Sequence, residues 1–229
     1  MNAQENWHKL FTKSSFFSLK KEEALSSELI ILQSKLKLND NIKTFHPARK
    51  NEFILGRLCA SKAHEICTGR ELLELISGVD RAPVWPIDVT GSIAHDKNFV
   101  GAAVAKKNDL IGIGIDFEEL GRTKIELSSH IRSSHDLISH PDLSDTELLT
   151  LIFSTKESLY KALYPSVQKF FGFEDAALTK INLDAGTFQI DLITDLTHNF
   201  GPNSRKSFEG RFTVENKICL TVIELSSSK

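Results

Sequence analysis

Asp116, Phe117 and Glu118 follow the apolar run Leu110 to Ile115. If that run is a strand, its two-residue period puts both carboxylates on one face and turns Phe117 to the other. Oxygen donors converging at a strand end suit a hard cation such as Mg²⁺, with Mn²⁺ as a substitute, which keeps several waters and borrows phosphate oxygens from its substrate. Acidic residues after a strand are also common turn formers, and that reading stays beside the first. Ser154-Thr155-Lys156-Glu157 likewise reads in two ways. A Ser followed three residues later by Glu is a capping box, which would leave Glu157 only a backbone N–H to satisfy. Alternatively, Glu157 completes a carboxylate set with Asp116 and Glu118, while Lys161, four residues on along the same helical face, offers a cation to phosphate. Gly91-Ser92-Ile93-Ala94-His95 combines a flexible glycine with a hydroxyl and an imidazole that can receive an anion, against an ordinary structural role for His95. Neither a nucleophile elbow nor a Walker phosphate loop occurs.

Several elements must position these groups. From Pro47 to Glu74 apolar residues recur at three and four positions, which predicts an amphipathic helix with Arg49, Lys50, Arg57 and Lys62 on its polar side. Ser77 to Pro86, with a Gly and two prolines, reads as a structured loop. Phe99 to Lys106 and Leu110 to Phe117 read as two neighbouring strands joined by a tight turn at Lys107-Asn108-Asp109, although the small residues of the first suit a buried helix equally well. A polar Ser- and His-rich stretch follows from Glu119 to Asp145, then helical periodicity from Thr146 to Leu163 and strands at Phe188 to Ile193 and Arg211 to Leu225. Strands and helices mixed through both halves predict an α+β fold.

The 229 residues correspond to one large domain or two small ones in close contact. Twenty-eight Lys and Arg against thirty Asp and Glu provide no global positive field for a nucleic-acid backbone, so any anionic ligand must be held by a local cluster. Cys59, Cys67 and Cys219 show no CxxC spacing and suit neither a disulfide framework nor a zinc site. With no secretory signal pattern and no apolar run long enough to span a bilayer, a cytoplasmic protein without a transmembrane segment is expected.

In order and combination, Arg49, Glu52-Phe53-Ile54-Leu55-Gly56-Arg57, Ala82-Pro83-Val84-Trp85-Pro86, Gly91-Ser92-Ile93-Ala94-His95, Gly114-Ile115-Asp116-Phe117-Glu118 and Phe153-Ser154-Thr155-Lys156-Glu157-Ser158-Leu159-Tyr160-Lys161-Ala162 resemble the 4′-phosphopantetheinyl transferase superfamily, in particular the branch of enterobactin synthase component D. The resemblance covers roughly Arg49 to Phe173. It implies a pseudo-twofold α+β monomer of two similar halves, 1–113 and 114–229, with coenzyme A between them. It also implies transfer of 4′-phosphopantetheine from coenzyme A to a serine of an apo acyl, aryl or peptidyl carrier protein, with release of adenosine 3′,5′-bisphosphate. On this resemblance Asp116, Glu118 and Glu157 hold Mg²⁺ against the pyrophosphate, and Asp116 also belongs to the coenzyme A site. Lys161 and Lys156 offset phosphate charge, His95 contacts a coenzyme A phosphate, and Arg49 and Arg57, with Arg81, meet the donor, the first two at its 3′-phosphate. Eight residues apart on a helix, Arg49 and Arg57 are offset by roughly 80° and about 12 Å of rise, so long guanidinium arms can converge on one anion. The serine proton passes to Glu157 or to a metal-bound water.

This chain departs from the family pattern GSISH at Ala94, and Asp96 adds a carboxylate that must point away from the phosphates or pair with a cation such as Lys97. The branch suggests carriers of a siderophore synthetase, with which the monomer could associate; fatty-acid and polyketide carriers are the alternative. Two readings from other classes are a metal-dependent nuclease, which the charge balance opposes, and a non-catalytic carrier-binding subunit, which the retained carboxylates oppose.

Overall fold

A computed structural model describes residues 3–22, 30–31, 34–37, 45–78 and 81–227. Helix α1 (Ala3–His8) and strand β1 (Ser15–Lys20) precede the long helix α2 (Pro47–Thr68). Proline in the first turn of α2 costs no hydrogen bond, and Gly69, at φ 72°, ends the helix in a left-handed conformation several residues before the predicted Glu74. Strands β2 (Val89–His95), β3 (Phe99–Lys106) and β4 (Gly112–Glu119) follow, then the short α3 (Ser128–Ile131) and the long α4 (Asp145–Val167). Strands β5 (Ala176–Asn182), β6 (Thr187–Leu192), β7 (Ser207–Glu215) and β8 (Ile218–Leu225) complete the chain.

The strands form two antiparallel sheets, ordered β1-β3-β2 and β4-β8-β7-β6-β5. Each carries one long helix, α2 on the first and α4 on the second, an α+β arrangement of two helix-on-sheet halves that fits the expected pseudo-twofold fold. β3 and β4 are therefore not a hairpin, as the short turn between them suggested: each found its partners elsewhere in the sequence. The predicted division at 113/114 falls inside β4. Arg211 to Leu225 is likewise two strands, turned back at Asn216 and Lys217, both with positive φ.

Period two explains how β3 and β4 are buried on both faces. Val100, Ala102 and Val104 pack under Leu55, Leu58 and Cys59 of α2, while Phe99, Ala103 and Ala105 turn to a core shared by both sheets. Ile113, Ile115 and Phe117 of β4 enter that shared core with Leu220 and Val222 of β8. Trp7 of α1 closes it, fully buried with its ring edge-on to Phe99 and Phe117 at 4.7 and 5.1 Å. The N-terminal segment is thus structural, although no motif marked it. Cys59 and Cys219 are buried and all three thiols are free. Among the described residues no helix is long and apolar enough to cross a membrane.

Candidate functional site

The other face of β4 reads Gly112, Gly114, Asp116, Glu118, and α4 lies directly on it. A Cβ on Gly112 would stand 2.0 Å from Ala162 O, and one on Gly114 1.8 Å from Ser158 O. Only glycine admits the helix this closely, and the approach brings Lys161 onto Asp116. Lys161 Nζ donates to Asp116 Oδ1 at 2.7 Å and to Ile115 O at 3.1 Å, leaving a third ammonium proton free of these two bonds on a side chain a quarter exposed. Asp116 Oδ2 is buried with no hydrogen-bond partner.

The carboxylates feel one another. Burial raises the Asp116 carboxyl against the opposing pull of Lys161. Burial and then the Asp116 charge push Glu118 up to about 7, with Asp96 adding to the effect and Arg122 and Lys161 opposing it. Burial also raises Glu157, helped by Asp116 and opposed by Lys161. A buried, unpartnered oxygen among mutually repelling carboxylates is what a divalent cation would relieve, so this donor set fits a hard metal. Among the described residues no three carboxylate, imidazole or thiol side chains already form a metal-binding cluster.

Glu157 does not cap a helix. The capping box of α4 is Ser144 with Glu147, where each side chain satisfies the other's backbone, and Ser154 and Glu157 lie inside the helix. The structural reading of Glu157 thereby lapses. Lys156 has other work than phosphate binding: its ammonium is buried and bonded to Asp136 Oδ2 at 2.6 Å, Ile131 O at 2.8 Å and Phe173 O at 2.8 Å. Its three donors are all used, so it ties α4 to α3 and to the segment before β5. Asp136 is satisfied in turn by Ser133 N and Leu178 N.

Across from the carboxylates stands a cationic rim. His95, at the end of β2, has Nδ1 3.9 Å from Glu52 Oε1, and the same oxygen accepts from Lys21 Nζ at 2.9 Å. Burial, then Lys21, Arg49 and Lys161, lower the His95 imidazole against the upward pull of Glu52. Arg49 is exposed in the first turn of α2. Arg57, expected beside it on the polar face, is only 8 % exposed: Nε donates to Leu75 O at 3.2 Å, Nη2 to Ser77 Oγ at 2.8 Å, and the guanidinium lies 4.0 Å over the Phe53 ring. Burial and the Arg49 charge lower it to about 10, so it remains charged at neutral pH. Arg81 is exposed, at φ 68°, with its N–H on Gly78 O.

Residues 39–105 match the family described as 4'-phosphopantetheinyl transferase N-terminal domain, and residues 112–215 match the 4'-phosphopantetheinyl transferase superfamily. The chain is 34% identical over 191 residues to 4'-phosphopantetheinyl transferase Svp of Streptomyces mobaraensis, covering 79% of this chain and 74% of that one. The chain belongs to the 4′-phosphopantetheinyl transferase superfamily. It is 31% identical over 183 residues to 4'-phosphopantetheinyl transferase Npt of Nocardia iowensis, covering 76% of this chain and 82% of the relative. To enterobactin synthase component D of Escherichia coli O157:H7 it is 35% identical over 138 residues, 58% of this chain and 63% of that one.

In this transferase the glycine-serine-histidine segment forms strand β2. Ser92 Oγ accepts from Ile115 N at 3.1 Å, joining β2 to β4 beside Asp116, so the hydroxyl couples the halves through a lone pair and keeps its own proton to donate. Gly91 is required because a Cβ there would meet the Trp85 ring at 2.6 Å. Asp96 does not pair with Lys97: Oδ1 accepts from Asn98 N and Phe99 N and closes the β2-β3 turn, while Oδ2 is buried without a hydrogen-bond partner and the charge is felt at Glu118. Lys21 and Glu52 are the rim residues that sequence reasoning passed over as site residues. Lys21 sits outside every motif; Glu52, inside one, carried no signal of its partners.

Proposed function

We propose that the transferase moves 4′-phosphopantetheine from coenzyme A to a serine hydroxyl of an apo carrier protein. The serine oxygen forms a bond to the β-phosphorus, the bond from that phosphorus to the pyrophosphate's bridging oxygen breaks, and adenosine 3′,5′-bisphosphate leaves with the electron pair. Such phosphoryl transfer is governed by positioning and charge neutralisation. Asp116, Glu118 and Glu157 would hold Mg²⁺, which supplies charge neutralisation at the pyrophosphate. Lys161 orients Asp116 and turns its remaining donor to phosphate, and Glu157, its carboxyl already raised by burial, takes the serine proton. His95 contacts a donor phosphate, and Arg49, Arg57 and Arg81 face the adenosine end and its 3′-phosphate. The buried Asp116, with Lys161 on Oδ1, Oδ2 without a hydrogen-bond partner, and a charge felt by both Glu118 and Glu157, is the observation that carries this reading.

Similarity to enterobactin synthase component D supports carriers of a siderophore synthetase, met in the cytoplasm by a monomeric enzyme. Intact-mass measurement of apo aryl, peptidyl and fatty-acid acyl carriers incubated with coenzyme A, with and without Mg²⁺, tests both levels. One phosphopantetheinyl mass gain, dependent on Mg²⁺ and fastest on aryl and peptidyl carriers, is expected. No gain on any carrier refutes the reaction, and preference for the fatty-acid carrier refutes the pathway.

A further inference from the structure

Three hydroxyls that no step of the proposed reaction uses are buried between α4 and β8. Thr221, Ser154 and Ser158 are all fully buried. Thr221 Oγ1 lies 2.8 Å from Ser154 Oγ, 2.7 Å from Ser158 Oγ and 3.0 Å from Ser154 O, and Ser158 Oγ is also 3.2 Å from Thr221 O. A threonine hydroxyl has one proton and two lone pairs. Donating to Ser154 O leaves both lone pairs for the two serine hydroxyls, and Ser154, which also draws the Asp116 carboxyl down, joins the set to that carboxylate.

Stability does not account for this arrangement. The surroundings are apolar: Cys219, Ile223 and Leu225 flank Thr221 on its face of β8, and Leu151, Leu159 and Ala162 of α4 pack against that sheet. Replacing a satisfied buried hydroxyl set by apolar groups of the same shape is nearly neutral, or stabilising. What hydrogen bonds add is direction, since dispersion contacts tolerate sliding of a helix over a sheet and a hydroxyl network does not.

The location of the network bears on chemistry. Thr221 is the cross-strand register partner of Asp116, and Ser154 and Ser158 bracket Glu157 on α4. We propose that Thr221 is a positioning residue whose hydroxyl, through Ser154 and Ser158, sets where α4 holds Glu157 and Lys161 over Asp116 and Glu118. The proposal rests on the reaction given above, and it assigns a role to a C-terminal strand that carries no motif.

Thr221→Val keeps the shape and removes the hydroxyl. Steady-state kinetics with coenzyme A and an apo carrier should show kcat lowered by roughly 10- to 100-fold, the loss expected from misplacing catalytic groups by about 1 Å, with KM for coenzyme A little changed. Thr221→Ser should restore most of the rate. The combined Ser154→Ala, Ser158→Ala, Thr221→Val variant leaves no unpaired hydroxyl, so it should melt at or above the single Val variant yet remain slow. A rate equal to wild type in Thr221→Val or in the combined variant overturns the proposal, as does failure of Thr221→Ser to recover activity. A crystal structure of the combined variant reads the placement without reference to turnover: α4 unmoved against β4 sinks the proposal. An inactive but folded wild-type enzyme would sink the proposed reaction instead.

Discussion

Each half lays one long helix on an antiparallel sheet, but the two helices are seated differently and present opposite charges. α2 approaches its sheet through Gly56, where a Cβ would meet only the Ile93 methyl at 3.1 Å, and its rim carries Arg49 beside Lys21 and His95. α4 lies on the bare backbone of β4 at Gly112 and Gly114, and its face carries Glu157 and Lys161 over Asp116 and Glu118. The first half forms a cationic edge around His95. The second holds its carboxylates by close backbone contact, by the buried Lys156–Asp136 pair and by the Thr221 hydroxyls. A reaction that tolerates little displacement suits the second half.

The sharpest test of that division removes charge from the second half without removing shape. Glu157→Gln should lower kcat by about 10²–10³-fold, the scale seen when one preorganised electrostatic contact is lost. Its melting temperature should hardly move, because Glu157 caps nothing. Asp116→Ala should match it in rate. Either variant working at wild-type rate would dissolve the distinction between a binding half and a reacting half.

Next in size is the contrast between glycines. Gly114→Ala drives a methyl into Ser158 O, a backbone atom that cannot step aside, and overpacking of this kind costs about 3 kcal/mol. Gly56→Ala faces a rotatable methyl and gains about 1 kcal/mol of helix propensity, so its net change should stay within about 1 kcal/mol. Chemical denaturation of both variants measures the difference; equal costs would mean that the two helices are seated alike.

The half that carries the carboxylates was the more legible of the two in sequence, because its groups lie within short elements of strong period. Alternation placed Asp116 and Glu118 against Phe117, and four-residue spacing placed Lys161 beside Glu157. What escaped depended on partners far along the chain. The helix contains Ser-x-x-Glu twice, at Ser144 and Ser154, and only the start of the apolar period at Leu148 distinguishes the capping copy from the internal one. Lys156 looked like a phosphate ligand because Asp136, which neutralises it, sits in a polar stretch without periodicity. The β3-β4 hairpin failed for the same reason, since β1 and β8 outbid a local partner that a short turn seemed to favour.

Arg49 and Arg57 sharpen the comparison within the cationic half. Arg57 bonds Leu75 O and Ser77 Oγ from a buried position, so Arg57→Ala should destabilise by about 2 kcal/mol as well as raise KM for coenzyme A. Exposed Arg49 should behave otherwise: Arg49→Ala keeps stability and raises KM for coenzyme A roughly five- to tenfold, with little change for dephospho-coenzyme A. An unchanged preference between the two donors in both variants would remove the arginines from the 3′-phosphate site.

The smallest effect lies at the seam between the halves. Glu224 on β8 accepts from Thr12 and Ser14 side chains and Lys13 N and pairs with Arg211, fastening the segment before β1 to the second sheet. Burial pushes its carboxyl up, but the hydrogen bonds from Ser14, Thr12 and Lys13 and the Arg211 charge outweigh that push and hold it below the ordinary glutamate range. A carboxyl depressed in the folded state stabilises the fold fully above its unfolded value and loses that contribution as pH falls through the folded one. The seam should therefore be at full strength at neutral pH and weaken progressively below the ordinary glutamate range. Glu224→Gln keeps an acceptor but cannot titrate, so its melting temperature at pH 7 should be lower than wild type and the gap should narrow with acidification. Melting curves of the two proteins between neutral and acid pH that stay parallel would show that this carboxylate is not what holds the two halves together.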